Sequence, residues 1–377
     1  HRDLHTAYRR QRQMCIRDSR ILVINPGSTS TKIAVFEGEK KAFSKNILHS
    51  SEQLSSFDKL LDQKEFRKEQ ILQEILNAGY EIEKFSAIVA RGGILPPLES
   101  GVYEVSEEMI EYLKFKSPVE HPSNLAAVIG DEIGKMYGIP VYIVDPISVD
   151  EMIPEARFSG IKDIERRSLA HALNIKRVCR KVSEEIGKAY SELNMVVVHL
   201  GGGISVTAHL KGRMIDVNNA SDEGPFSPER TGGLPAGDVV RIAFSGKYTK
   251  TQLKREFMGR GGLTAYIGTN DFRTALKKAS QNKEAKLVLD AMAYQVAKEI
   301  GGMCAVLKGD VDAIAITGGM AHSIEFVENI KSYVYKFAPV FVVPGEFEIE
   351  GLALSTLQVL LGFEKSRKWR GENYEQA

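Results

Sequence analysis

Three glycine-rich turns, each closing an apolar run, are the places where this chain is equipped to meet an anion. Asn25-Pro26-Gly27-Ser28-Thr29-Ser30-Thr31-Lys32 sets a glycine beside a run of hydroxyls. Glycine lets backbone approach an anion closely, and hydroxyls with exposed N–H groups can cradle phosphate oxygens. The glycine–lysine spacing is not that of a Walker A loop, and a strand pattern rather than a helix follows. On its own the segment reads equally well as an ordinary hairpin turn. His199-Leu200-Gly201-Gly202-Gly203-Ile204-Ser205 is the second turn. Three consecutive glycines are costly to order unless something comes close to the backbone; His199 alone is better read as a core histidine at a strand end. Thr317-Gly318-Gly319-Met320-Ala321 is the third, a turn whose N–H groups at a helix start can face a ligand. By itself it is more simply a plain turn. Around these lie His121-Pro122-Ser123-Asn124, Asp145-Pro146, Arg91-Gly92-Gly93 and Ser227-Pro228-Glu229-Arg230-Thr231-Gly232-Gly233, each a polar residue beside a turn former. His171 falls in a helical segment, where a capping or core role is the simpler reading.

The elements that must position these residues follow from hydrophobic spacing. Residues 20–24 and 31–36 read as strands flanking the first turn, and 86–90 and 141–144 as further buried strands. Residues 65–78 and 106–115 carry helical spacing. The pattern restarts near residue 148. A helix runs through Ala172, Ile175, Val178, Cys179, Val182 and Ile186, and strands are expected at 195–198 and 204–210 around the second turn. Residues 285–307 form the longest helical pattern, with Leu287, Ala291, Tyr294, Ile300, Cys304 and Leu307 near one face. Strands at 313–316 and 339–343 and a helix at 352–361 complete the reading. The second half thus repeats the strand, turn, strand plan of the first, which points to a duplicated α/β architecture.

Composition narrows the class. A chain of 377 residues is long enough for two domains, and 43% hydrophobic with 26% charged residues is ordinary for a globular protein. A formal charge of +1 gives no reason to expect nucleic acid or a membrane surface as partner. No apolar run approaches the roughly 18 residues of a membrane span. Cys15, Cys179 and Cys304 are far apart, without metal-ligand or redox spacing, as expected in a reducing compartment. Residues 1–19 carry five arginines and no apolar core. They read as a non-native leader, with the native chain expected to start near Arg20.

In this order, Asn25 to Lys32, His121-x-Pro-x-Asn124, Asp145, His199 to Gly203 and Thr317 to Gly319, the motifs resemble those of the acetate and butyrate kinase family, from about Arg20 to the C-terminus. The resemblance implies an α/β, duplicated actin-like and ribonuclease H-like two-domain ATPase fold with an interdomain cleft. One domain would comprise 20–147 plus 352–377 and the other 148–351. It also implies ATP and ADP as nucleotides, Mg²⁺, a small carboxylate as acceptor, and a cytoplasmic homodimer or higher homo-oligomer. Ala90-Arg91-Gly92-Gly93 stands where acetate kinases have His-Gly-Gly, and Gly202 where they have Asn, which places the chain on the butyrate side of the family.

Roles carry over residue by residue. Asn25, Ser28, Ser30 and Lys32 match the first phosphate hairpin, near the β- and γ-phosphates and the metal. His199 with Gly201, Gly202 and Gly203 match the second phosphate loop, and Gly318 and Gly319 the adenosine turn. Arg230 matches the catalytic arginine, Asp145 the aspartate that orients it, and His171 a histidine flanking the site, although Ala172-Leu173-Asn174 depart from the family run after it. Glu350 matches a metal-associated glutamate, with Glu348 as its rival. Arg91 and His121 are left to bind substrate, because the family's second arginine is not found at Ala87 or Ile88. A carboxylate is already ionised at pH 7, so attack on phosphorus needs no strong base. Direct in-line transfer is expected. A branched-chain acid such as isobutyrate, or acetate or propionate, is the alternative acceptor; more remote alternatives are a sugar kinase with Asp145 as base and a slow ATPase module of the actin or Hsp70 type.

Overall fold

The computed structural model describes residues 19–371. The leader expected at 1–19 therefore lies outside the described residues except for Ser19. The chain divides into two compact units, residues 1–149 with 347–377, and residues 150–346.

The first unit is built on β1 (Arg20–Pro26), an apolar run whose residues 21–24 are fully buried. It pairs antiparallel with β2 (Ser30–Glu37) and parallel with β4 (Ala87–Arg91), so it is central and buried on both faces. β3 (Lys40–Leu48) continues from β2 as the sheet edge. It escaped the sequence reading because it is lysine-rich and largely exposed, a composition that suits an edge strand and hides the apolar alternation of a core one. β5 (Val102–Glu104), β6 (Val141–Val144) and a short β12 (Arg367–Lys368) complete the order β12-β5-β6-β4-β1-β2-β3. Helix Lys64–Asn77 and helix Pro122–Tyr137 pack against this sheet with Ile71, Ile75, Leu125, Ile129 and Ile133 in the core. Helix Glu348–Leu360 packs on β1, β4 and β6.

The second unit repeats the arrangement. β7 (Asn194–Leu200) pairs antiparallel with β8 (Ile204–Leu210), which pairs antiparallel with β9 (Arg213–Val217). β10 (Ala313–Gly318) lies parallel on the other side of β7, and β11 (Val340–Pro344) lies parallel to β10. The order β11-β10-β7-β8-β9 is that of β6-β4-β1-β2-β3 in the same strand senses. The duplicated α/β plan expected from sequence is present, and the first and second glycine-rich turns occupy equivalent places in the two sheets.

Helix Lys283–Val306 spans the long periodic segment, and Ile300, Cys304 and Leu307 of the expected face are buried, but its N-terminal half turns a different face inward. Ala285, Leu289, Met292 and Val296 form it, whereas Leu287 is 69% and Tyr294 49% exposed. Aliphatic and aromatic residues on both sides of this helix leave its phase undetermined until the sheet is in place. Helices Ala236–Ala243, Lys250–Phe257, Gly262–Ile267 and Phe272–Ala279 were not read from sequence. Each is short, six or eight residues, too few for an apolar period to stand out from the flanking loops. Among the described residues, no helix is long and apolar enough to cross a membrane.

Candidate functional site

In the second unit, β7 delivers His199 to its C-terminal end, opposite Ser205 on β8. The His199 ring is buried and its Nδ1 lies 2.9 Å from the Asn174 amide nitrogen. With that amide donating to Nδ1, the ring proton sits on Nε2, where it can donate outward. The ring stacks on His171, centroids 4.0 Å apart with 15° between planes, and His171 Nδ1 is 3.0 Å from Ser205 Oγ. His171 is the N-cap residue of helix Ala172–Ile186, and Asn174 projects from that helix's first turn. The departure noted after His171 thus supplies the residue that fixes the His199 tautomer.

The glycines of this turn are required by what approaches them. A Cβ on Gly201 would lie 2.8 Å from His199 Nε2. A Cβ on Gly203 would lie 2.5 Å from Arg230 Nη1, so the guanidinium packs directly on the turn backbone. Arg230 is held there by donating to the Ala220 carbonyl at 3.0 Å, while Ser227 Oγ donates to the Gly202 carbonyl at 2.6 Å. One cation and one imidazole N–H thereby flank a glycine turn. Thr317 on β10 is the neighbour of His199 in the parallel pair, which brings the Gly318–Gly319 turn beside it. Gly318 has φ of 93°, and a Cβ there would meet the Leu200 carbonyl at 2.3 Å. Gly319 has open space around its Cα. Of the two, Gly318 is fixed by the protein itself and Gly319 leaves room for a ligand.

In the first unit, Asn25 stands next to last in β1, opposite Lys32 on β2, and Ser28 and Thr29 are exposed at the turn between. Asn25 Nδ2 donates to Glu348 Oε2 at 3.2 Å, and the same carboxylate takes a short contact from Arg91 Nη1. Of the two glutamates left open by the sequence, Glu348 is the one that meets Asn25 and Arg91. Helix Glu348–Leu360 begins four residues earlier than expected, because acidic residues favour the first turn and Pro344-Gly345 supply the break before it. Glu350, two residues on, points to another side of that helix.

His121 is the N-cap of helix Pro122–Tyr137, its Nδ1 accepting from the Ser123 N–H at 3.2 Å. Desolvation, and then the charge of Arg91, lower its pKa below the usual imidazole value. Asn124 is buried. Its Oδ1 accepts from the Ile94 N–H at 2.8 Å and its Nδ2 donates to the Val119 carbonyl at 3.0 Å, a loop-fastening role. Asp145 adopts φ of 38°, and its Oδ1 accepts from Ser100 Oγ at 2.6 Å and the Gly101 N–H at 2.8 Å.

The repeated sheets, each with a turn after its first strand, have the architecture of a duplicated actin-like fold. A solved acetate kinase from Porphyromonas gingivalis superposes with a TM-score of 0.75 at 19% identity, covering 91% of this chain and 100% of that one. An acetate kinase from Entamoeba histolytica does so at 0.70 and 16%, covering 89% and 98%. At these identities the likeness concerns the fold. The acetokinase family model matches residues 160–337. The chain is 59% identical over 351 residues to a probable butyrate kinase of Thermotoga petrophila, covering 93% of this chain and 98% of the relative. It is 46% identical over 353 residues to butyrate kinase 1 of Clostridium acetobutylicum, covering 93% and 99%. This chain belongs to the acetokinase family.

Proposed function

We propose that this enzyme transfers the γ-phosphoryl group of ATP to a short-chain fatty acid, butanoate first among them, giving an acyl phosphate and ADP, and that it runs the reverse reaction. The observation that carries the reading is the 201–203 glycine turn, packed by Arg230 at Gly203 and approached by His199 Nε2 at Gly201. A guanidinium and a neutral imidazole N–H match the charge that develops on the equatorial phosphoryl oxygens. Asn25, Ser28, Ser30 and Lys32 receive the β- and γ-phosphates, Gly201 to Gly203 the transferred group, and Gly318 and Gly319 the adenosine. Arg91 and His121 face the acid. The names borne by relatives at 59% and 46% identity support a four-carbon acid over acetate.

The substrate oxygen attacks phosphorus in line with the departing β-phosphate oxygen. No protein base is needed, because the acid is already ionised. What the residues supply is placement and charge. Asn25 and Glu348 offer hard oxygen donors, and no cluster of three acidic, histidine or cysteine groups suited to a metal exists among the described residues. That suits Mg²⁺, which keeps waters and relies on one or two protein oxygens plus substrate phosphates. When bound it would neutralise charge on the β- and γ-oxygens, held by Asn25 and by Glu348 or Glu350. The enzyme is proposed to work in the cytoplasm as a homodimer or larger homo-oligomer; burial pushes the Cys179 thiol up to about 12, which leaves it inert.

Rapid-quench turnover with γ-labelled ATP and butanoate tests direct transfer. Label is expected in a hydroxylamine-reactive acyl phosphate and none on the protein. A phosphohistidine at His171 or His199, formed and consumed at the turnover rate, would overturn it.

A further inference from the structure

Helix Lys64–Asn77 carries in its first turn an arginine with no solvent exposure, Arg67. Burying a guanidinium is expensive unless every N–H finds an acceptor. Nη1 donates to the carbonyls of Gly27 at 3.0 Å and Ser30 at 3.1 Å and to Thr31 Oγ1 at 3.0 Å. Nη2 donates to the Ser28 carbonyl at 3.0 Å, and Nε and Nη2 both reach Gln63 Oε1. None of these partners is a carboxylate, and desolvation lowers the guanidinium pKa, yet an arginine stays protonated at any physiological pH.

The effect falls on one turn. The carbonyls of Gly27, Ser28 and Ser30 point inward to Arg67, and that of Thr29 accepts from the His49 N–H at 2.9 Å. With four successive carbonyls tied from behind, the N–H groups of Ser28 and Thr29 face outward without a protein partner among the described residues, at exposed positions. Outward N–H groups in succession make an anion-binding concavity. A buried ion pair would have neutralised the arginine; the observed shell of neutral acceptors leaves its charge directed at the turn.

We propose that Arg67 is a positioning residue for phosphate recognition: from inside the fold it holds the 27–30 turn with its amides outward, and it places an uncompensated positive charge behind the bound phosphates. The proposal rests on the reading that this turn receives the nucleotide phosphates. Its signature is selective. Contacts to adenosine lie elsewhere, so loss of Arg67 should weaken ADP and leave adenosine alone.

The test is calorimetric titration of the full chain and its Arg67→Gln and Arg67→Lys variants with ADP plus Mg²⁺ and with adenosine, below the melting temperature, with Asn25→Ala in parallel. We expect R67Q to bind ADP about tenfold or more weakly, as for a lost charge-assisted contact, and adenosine within about twofold. R67K keeps the charge but not the fork of donors, and should recover part of the ADP affinity. Equal loss for both ligands in folded R67K, or no loss for either in R67Q, would overturn the proposal. If N25A weakens ADP selectively while both Arg67 variants bind normally, the phosphate reading stands and the role of Arg67 falls. If N25A and both Arg67 variants all bind ADP normally, the turn is not a phosphate site and both readings fall.

Discussion

Arg230 is the residue on which the chemistry depends most, and its setting makes a sharp prediction. It is partly exposed and fastened by one backbone carbonyl, so replacing it should leave the fold intact. Arg230→Lys retains charge but loses the planar fork that spans two phosphoryl oxygens. We expect kcat to fall on the order of 10³-fold, as for loss of an arginine at a phosphoryl transition state, with ADP affinity changed only a few-fold. Steady-state kinetics with a melting curve check both halves; a fall in ADP affinity matching that in kcat would place Arg230 in ground-state binding instead. At this scale the turns were legible as contiguous strings: Asn25 to Lys32 and His199 to Gly203 stand out by glycine and hydroxyl content, though each alone reads as well or better as a plain turn or strand end, and only their order gave them the resemblance. Glu348 was harder. Its contact with Asn25 and Arg91 depends on where a helix begins, which pattern alone does not give for two glutamates two residues apart. Asn174 gave no signal except that it broke an expected motif, and Arg67 looked like one more charged residue on a polar helix.

The elements place these groups through equivalent strand–turn–strand units, and the turns are supported from behind by helices whose buried polar residues the periodicity could not show. His49 illustrates the energetic consequence. It follows β3, stands 2.8 Å from Thr31 Oγ1 and packs on Phe66, and desolvation together with the charge of Arg67 holds its pKa down at about 4. An unfolded histidine titrates near 6.5. Between those values the unfolded chain binds a proton that the folded one refuses, so stability is full above about pH 6.5 and is lost as pH falls toward 4. His209, fully buried with its pKa pushed well below normal by desolvation, acts in the same direction. Urea unfolding at pH 7.5 and pH 5 should show a loss on the order of 2 kcal/mol from His49, and His49→Gln should flatten that acid limb. An unchanged limb in the variant would mean that His49 titrates normally. The edge strand β3 went unread because it buries little, and the short helices between residues 236 and 279 because six to eight residues are too few to establish a period. Helix Pro122–Tyr137 went unread for another reason: its His-Pro-Ser-Asn start has turn chemistry, and proline at the first helical position looks the same in a loop.

For the whole molecule, the duplication was legible as a repeated strand–turn–strand plan, and the two sheets carry it in the same order and sense. The C-terminal helix was expected with the first unit only through the family resemblance, since chain order by itself says nothing about which sheet a late helix covers; it packs on β1, β4 and β6. The central claim is that this chain transfers the γ-phosphoryl group of ATP to a short fatty acid. It is tested most directly by hydroxamate formation with ATP and Mg²⁺ against acetate, propionate, butanoate, isobutanoate and a hexose, with ADP release followed in the same reactions. The account predicts acyl hydroxamate with the acids, greatest for the four-carbon chains, and no ADP release with the hexose. ADP release with the hexose and no hydroxamate from any acid would contradict it, and would recast Asp145 as a general base for a hydroxyl.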